Sequence, residues 1–229
     1  MAQREFIPTL DTHGAKLHRP VISRADIAVL SALADTAVAG RAGVRVFGHP
    51  CISALFGRDG SAGQLAATLL GEAARPVRAI MFDKTWENNW SVPWHQDRTI
   101  AVQSRRDVPG FGPWSIKTGV SHVEPPFEVM ARMITMRAHL DDCETSNAPL
   151  LVVPGSHRFG RIPAAQAAVV AQRHGHIPCC ASAGDIWVYA TPIVHASERA
   201  RIPGRRRVLQ VDYAAEPLPG GLEWLGIAP

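Results

Sequence analysis

From residue 21 to 40 the apolar positions Val29, Leu30, Leu33 and Val38 recur at helical spacing, and the pattern opens on Ser23 with Asp26 three residues later. That is a capping pair ahead of an amphipathic helix, which Gly40 closes. A second helix fits SAGQLAATLLGEAAR (61–75), with Ser61 as its cap and Pro76 enforcing its end. Beyond it the period changes to two. VRAIMFDK (77–84) and MITMRAHLDD (133–142) read as strands, the latter alternating from Met133 to Leu140, and PLLVVPGSH (149–157) is an apolar run closed by a Pro-Gly turn. A third helix runs from Pro163 to Gly175, and two strands follow, GDIWVYAT (184–191) and RRRVLQVDYA (205–214). Helices in front, strands behind and no regular strand–helix alternation indicate an α+β, mainly β, fold whose antiparallel sheet closes into a barrel or sandwich.

No repeat or linker interrupts residues 20–215, so the reading is a single domain, 1–229, with a helical part at about 20–75 and a β core at about 76–215. The Gly- and Pro-rich stretch 103–129 is too long for a bland connection and reads as a lid or substrate loop. Composition narrows the function. The net charge of +4 comes from short clusters such as GRRRV, too weak a signal for nucleic-acid binding. The N-terminus lacks the order of a signal peptide and no window approaches a membrane span, so the expectation is a soluble, cytoplasmic protein without a membrane partner. Cys51, Cys143, Cys179 and Cys180 have no CxxC spacing and read as reduced, mostly buried thiols. Oligomeric state is not legible. The C-terminal PLPGGLEWLGIAP carries apolar residues that look exposed and could cap a groove or a partner.

The chemistry begins at WHQD (94–97). In an extended strand, side chains at i and i+2 share a face, which would aim His95 and Asp97 at one point. His195, after the strand 184–191, can be brought beside them by a barrel. Two histidines and one carboxylate suit non-haem Fe(II), with positions left for O2 and a chelating cosubstrate. The helical HExxH of zinc hydrolases is absent. Arg205, Arg206 and Arg207 follow on the last strand. An arginine inside a barrel needs a partner, and a dicarboxylate such as 2-oxoglutarate supplies one.

The ordered set WHQD (94–97), LDDCETSNAPLLVVPGSH (140–157), GDIWVY (184–189) and HAS (195–197), followed by the arginines, resembles the phytanoyl-CoA dioxygenase family of Fe(II)- and 2-oxoglutarate-dependent oxygenases over roughly residues 75–215. The resemblance implies a double-stranded β-helix, a jelly roll of cupin type, with helices packed on one sheet. It implies His95, Asp97 and His195 as iron ligands and Ser197 as a hydrogen-bonding partner of the far carboxylate of 2-oxoglutarate. Its anchoring arginine lies about eleven positions past the second histidine, which selects Arg206. Alternation leaves Arg207 as a rival, because 205, 207, 209, 211 and 213 form the more apolar face. Lys84 shares a strand face with Phe82 and Ile80 and is a candidate for the cosubstrate or the substrate. Trp94, Trp187 and His157 read as packing and turn residues, His139 as a satisfied structural histidine, and His122 as a substrate contact in the lid. The implied activity is hydroxylation of a C–H bond of a small molecule with release of succinate and CO2, and retention of the Asp97 carboxylate favours it over halogenation. A non-catalytic jelly-roll binding protein and a cupin-like enzyme with another metal are the alternatives.

Overall fold

In the computed structural model, which describes residues 8–202 and 204–228, thirteen strands form three antiparallel sheets. The largest has six strands. Its spatial order is β1 (Ala15–His18), β11 (Ile186–Ala190), β8 (Ile134–His139), β13 (Arg206–Ala214), β3 (Arg75–Lys84) and β2 (Gly43–Arg45). Facing it is a four-stranded sheet in the order β10 (Ile177–Cys179), β9 (Leu150–Val152), β12 (His195–Ser197) and β4 (Val92–His95). A small third sheet joins β5 (Ile100–Val102), β7 (Val120–Val123) and β6 (Trp114–Lys117). The two larger sheets make the double-stranded β-helix that the resemblance implies.

The long strands have one apolar and one polar face, and the apolar face is turned outward, under helices. Ala79 and Met81 of β3, Met136 and Ala138 of β8, Val188 of β11, and Leu209, Val211 and Tyr213 of β13 pack in one core with helices α2 (Arg24–Ala37), α3 (Pro50–Phe56) and α4 (Ser61–Leu70). Leu30, Ala34, Ile52, Phe56, Ala62 and Ala66 supply the helical side of that core, and nearly all of these side chains have no solvent exposure. Burial worth about 1.5–3 kcal/mol for each large side chain holds the layer to the sheet. The Tyr213 hydroxyl also donates to the Phe56 carbonyl at 2.7 Å.

Several local expectations need correction. Ser23 caps α2, with its Oγ 3.2 Å from the Asp26 amide. For α4 the cap position is Gly60, not Ser61, and the helix stops at Leu70 before Gly71. Pro76 lies inside β3, near its first residue, where a missing N–H costs little. The strand 133–142 is shortened to Ile134–His139. The third helix opens as a 3-10 turn, Ala164–Gln166, before α6 (Ala167–His174), and Gly175 follows with φ 72°. The N-terminal part is not purely helical, because β1 pairs with β11 and β2 with β3. Nor is 103–129 structureless. It contains the β6–β7 hairpin, whose two-residue turn, Thr118 (φ 53°) and Gly119 (φ 77°), has the left-handed pair that matches strand twist. The C-terminal apolar residues cover the chain itself: Leu218, Leu222 and Trp224 are buried with Ile100, Val102 and Met130, and Ile227 joins the helix-side core. Among the described residues no helix is long and apolar enough to cross a membrane, and all four cysteines are free.

Candidate active site

The WHQD segment reaches the interior by a route slightly different from the expected one. Strand β4 ends at His95, so Asp97 sits just beyond it rather than two steps along a continuous strand. Gln96, pointing the other way, fixes this exit. Its Nε2 donates to the carbonyls of Gly160 (3.0 Å) and Pro192 (2.8 Å), and its Oε1 accepts from the Ile162 amide (2.8 Å). With the backbone pinned on both sides of Gln96, His95 and Asp97 still converge.

His195 is paired with His95 across the β12–β4 ladder, and their ring centroids lie 4.2 Å apart. One ligand atom from each of His95, Asp97 and His195 falls within 4.8 Å of the others. The tautomers are set by the backbone. His95 Nδ1 is 2.8 Å from the Pro93 carbonyl and His195 Nδ1 is 2.9 Å from the Ile193 carbonyl. A carbonyl only accepts, so each Nδ1 carries the proton and each Nε2 presents a lone pair, as metal-ligating histidines do. Burial pushes the His195 pKa down to about 4, with His95 adding to the effect, so the ring is neutral. Burial pushes the Asp97 carboxyl the other way, but His195, the Arg78 guanidinium and His95 together bring it below the usual carboxylate range. Asp97 Oδ2 is buried without a hydrogen-bond partner. Two lone pairs and one orphaned anionic oxygen fit a divalent metal of the N/O-ligated kind.

The triad opens on a cavity of about 560 Å³ between the two larger sheets. Its sheet wall is the polar face of β3, β8 and β13, and the registers stack in rows. Arg78 lies beside Asp212 and Thr135, then Ile80 beside Gln210 and Arg137, then Phe82 beside Val208 and His139, then Lys84 beside Arg206. Arg206 therefore faces the cavity, 2% exposed, with Nη1 on the Ala148 carbonyl at 2.7 Å and Nε without a partner. Burial and the neighbouring Arg137 lower its pKa to about 10. Ser197, two residues past His195, also lines the cavity, and its buried Oγ has no partner. Arg207 points to the opposite side. Its Nε and Nη2 hold Asp141 at 2.9 and 2.6 Å, and Asp35 of α2 lies 3.5 Å from its Nη1.

Lys84, although on the same sheet face as that wall, does not line the cavity. Its ammonium is fully buried and donates to the carbonyls of Trp90 (2.7 Å) and Glu198 (2.6 Å), tying two loops together. Burial, and then Arg206, lower its pKa to about 8. His139 is not satisfied as expected, because neither ring nitrogen has a partner and burial beside Arg137 and Arg206 lowers its pKa to about 3. His122 is buried away from the cavity wall, and its Nε2 accepts from Arg45 Nε at 3.2 Å. Trp94 packs on His176, and Trp187 donates to the Cys180 carbonyl.

Two residues escaped the sequence reading. Arg78 donates from Nε to Asp212 at 2.5 Å, and its Nη2 lies 3.9 Å from Asp97 Oδ2, a charge contact beyond hydrogen-bond distance. Arg137 donates to Gln210 Oε1 at 2.8 Å and lies over the Phe82 ring. Both stand on the polar alternation of strands already identified, a signal available in VRAIMFDK and MITMRAHLDD.

The model of the family described as Phytanoyl-CoA dioxygenase (PhyH) matches residues 45–208. The chain belongs to this family. Its members are Fe(II)- and 2-oxoglutarate-dependent oxygenases, which accounts for the donor set at the triad. No curated protein matches the chain significantly. Among solved structures, AviO1 from Streptomyces viridochromogenes Tue57 shares 22% identity with a TM-score of 0.64, over 92% of this chain and 95% of that one. HygX from Streptomyces hygroscopicus, solved with nickel and 2-oxoglutarate bound, shares 14% identity with a TM-score of 0.62, over 90% and 84% of the two chains. The epimerase SnoN, solved with Fe3+, alpha ketoglutarate and nogalamycin RO, shares 17% identity with a TM-score of 0.63, over 96% and 92%. At these identities the likeness is one of fold.

Proposed function

We propose that this member of the phytanoyl-CoA dioxygenase family hydroxylates a C–H bond of a small molecule, with Fe(II) held by His95, Asp97 and His195 and 2-oxoglutarate held by Arg206 and Ser197. The observation that carries the reading is the juxtaposition of three convergent ligand atoms with a buried arginine that has no carboxylate partner among the described residues. When bound, the iron supplies the oxidising chemistry, in which O2 and 2-oxoglutarate are consumed, succinate and CO2 leave, and one oxygen atom enters the substrate C–H bond.

The chain's own groups prepare that chemistry. Asp97 and two neutral imidazoles provide one negative charge to a divalent ion, and the backbone carbonyls of Pro93 and Ile193 hold both rings in the ligating tautomer. Arg78, with His195 and His95, favours the ionised form of the Asp97 carboxyl. At the far end Arg206 offers an N–H fork in a water-poor setting, where a charge-assisted pair with a carboxylate is strong, and Ser197 adds a hydroxyl. The cavity volume is in the range of small-ligand sites. Retention of the Asp97 carboxylate leaves no ligand position for a halide, which favours hydroxylation.

The test is aerobic incubation of the iron-loaded protein with 2-oxoglutarate and candidate substrates, following succinate and product mass. Iron-dependent succinate formation coupled to a product heavier by one oxygen atom supports the reading. Iron binding without any 2-oxoglutarate consumption would move the protein to the cupin-like or non-catalytic class.

A further inference from the structure

Six cationic side chains line the cavity, Arg45, Arg78, Arg98, Lys117, Arg137 and Arg206, against a single lining carboxylate, Asp97. Two of the six have a carboxylate nearby: Arg78 pairs with Asp212, and Arg98 lies 3.8 Å from Glu124, which also pairs with Arg161. Arg206 is assigned above to 2-oxoglutarate, and Arg137 stands in the deep wall beside it. Arg45 and Lys117 remain. Neither has a carboxylate within 4 Å among the described residues.

Arg45 is held in place by a neighbour of fixed polarity. His122 Nδ1 lies 3.0 Å from the Val120 carbonyl, so Nδ1 carries the proton and Nε2 is left as an acceptor for Arg45 Nε. Burial lowers the His122 pKa to about 4, which keeps that acceptor available at neutral pH. The bond engages only Nε, and both terminal nitrogens of the Arg45 guanidinium are without a hydrogen-bond partner among the described residues, on the cavity wall. Lys117, at the turn of the β6–β7 hairpin, is oriented by Thr99 Oγ1 at 3.1 Å on the same wall. This pair is separate from the Arg206 end. Arg45 is in register with Ile80 and Arg206 with Lys84, four residues further along β3, a displacement of roughly 13 Å.

We propose that Arg45 and Lys117, with His122 positioning Arg45, form a subsite for an anionic group, a carboxylate or a phosphate ester, on the primary substrate. The inference rests on the oxygenase reading only in calling that ligand the substrate. A planar fork with a free edge and a flexible ammonium on the same cavity match an oxyanion. Ile80, in register with Arg45, and Phe82 beyond it line the same cavity and would take the apolar remainder of the ligand. The β6–β7 hairpin thus acts through charge.

The test is calorimetric titration of the protein with phenyl phosphate, phenylacetate and neutral benzyl alcohol. It is run anaerobically on the Fe(II)- and 2-oxoglutarate-loaded protein and again on metal-free protein. The expected result is binding of at least one anionic probe about tenfold or more tighter than the alcohol, reduced about tenfold by R45Q, severalfold by K117Q and H122F, and unchanged by R58Q, a distant exposed control. The anionic probe that binds tighter identifies the group. Equal binding of all three probes, equal weakening by R58Q, or weakening by R206A in place of R45Q would overturn the proposal. K117Q alters an exposed side chain and decides the matter if R45Q does not fold. Failure of the loaded protein to form the visible iron–2-oxoglutarate band would count against the oxygenase reading, and the metal-free titration would still decide the anion site.

Discussion

Arg206 and Arg207 are adjacent in one strand and lie on opposite faces of the six-stranded sheet. On the outer face Arg205 and Arg207 meet Asp35, Asp83 and Asp141 at 2.5–3.5 Å, and the pKa of each guanidinium is raised by its partners. On the inner face Arg206 meets the Ala148 carbonyl, the Cys143 side chain and a second cation, Arg137, and burial lowers its pKa. The outer arginines are structural, fastening α2 to the sheet. The inner one is buried without a carboxylate partner among the described residues. The face that carries the stability core is the apolar one under the helices, and the face that carries the chemistry is the polar one between the sheets.

The largest way to break this division is at the triad. Asp97→Ala should reduce Fe(II)-dependent turnover by more than about a hundredfold, because even outer partners of metal ligands are worth 10–100-fold, and a normal rate in iron-dependent succinate assays would remove Asp97 from the ligand set. Next comes acid. His122 and His139 have folded pKa values of about 4 and about 3, below the roughly 6.5 of an unfolded histidine. The unfolded chain therefore takes up their protons first, so the stability they contribute is complete above about pH 6.5 and is lost as the pH falls toward 4, at up to about 1.4 kcal/mol per pH unit for each. Urea midpoints of the metal-free protein that stay flat from pH 7 to 4.5 would contradict this burial.

A finer contrast sets the two faces against each other. Arg206→Met should leave the thermal midpoint of the ligand-free protein unchanged or raise it, since it removes a buried cation without a carboxylate. Arg207→Ala should lower stability by about 1–3 kcal/mol, because Asp141 is left without its bidentate partner. Opposite ranking of the two midpoints would mean the faces have been exchanged. The smallest effect belongs to the periphery: Arg132→Ala, which breaks an exposed pair with Glu216 at 2.9 Å, should shift stability by less than about 0.5 kcal/mol in the same unfolding assay.

Much of this division could be read from the chain. The period-two strands followed from alternation and the triad residues from motif order, and the choice of Arg206 over Arg207 came from the spacing past His195 that the family resemblance implies. The face rule alone pointed the other way, because the helices that cover Leu209, Val211 and Tyr213 are distant in sequence. Strands of three or four residues, such as β1, β2 and β5, carry too few positions to show a period. Lys84 looked like a cavity residue by alternation, yet its ammonium turns to two carbonyls from loops whose approach no local pattern encodes. Arg45 was invisible for the same reason: its edge strand gains meaning only from pairing with β3 and from a histidine on a separate hairpin.

The inner face is proposed to bind 2-oxoglutarate beside a metal at His95, Asp97 and His195. The most direct test of this proposal is an anaerobic titration of the metal-free protein with Fe(II) and then 2-oxoglutarate, following the visible charge-transfer band of the chelate. The band should form in wild type and in Arg207→Ala with similar affinity, and 2-oxoglutarate affinity should be weakened by about 10–100-fold in Arg206→Met, the range of a lost charge-assisted pair. Bound iron with no band, or equal weakening in both variants, would contradict it.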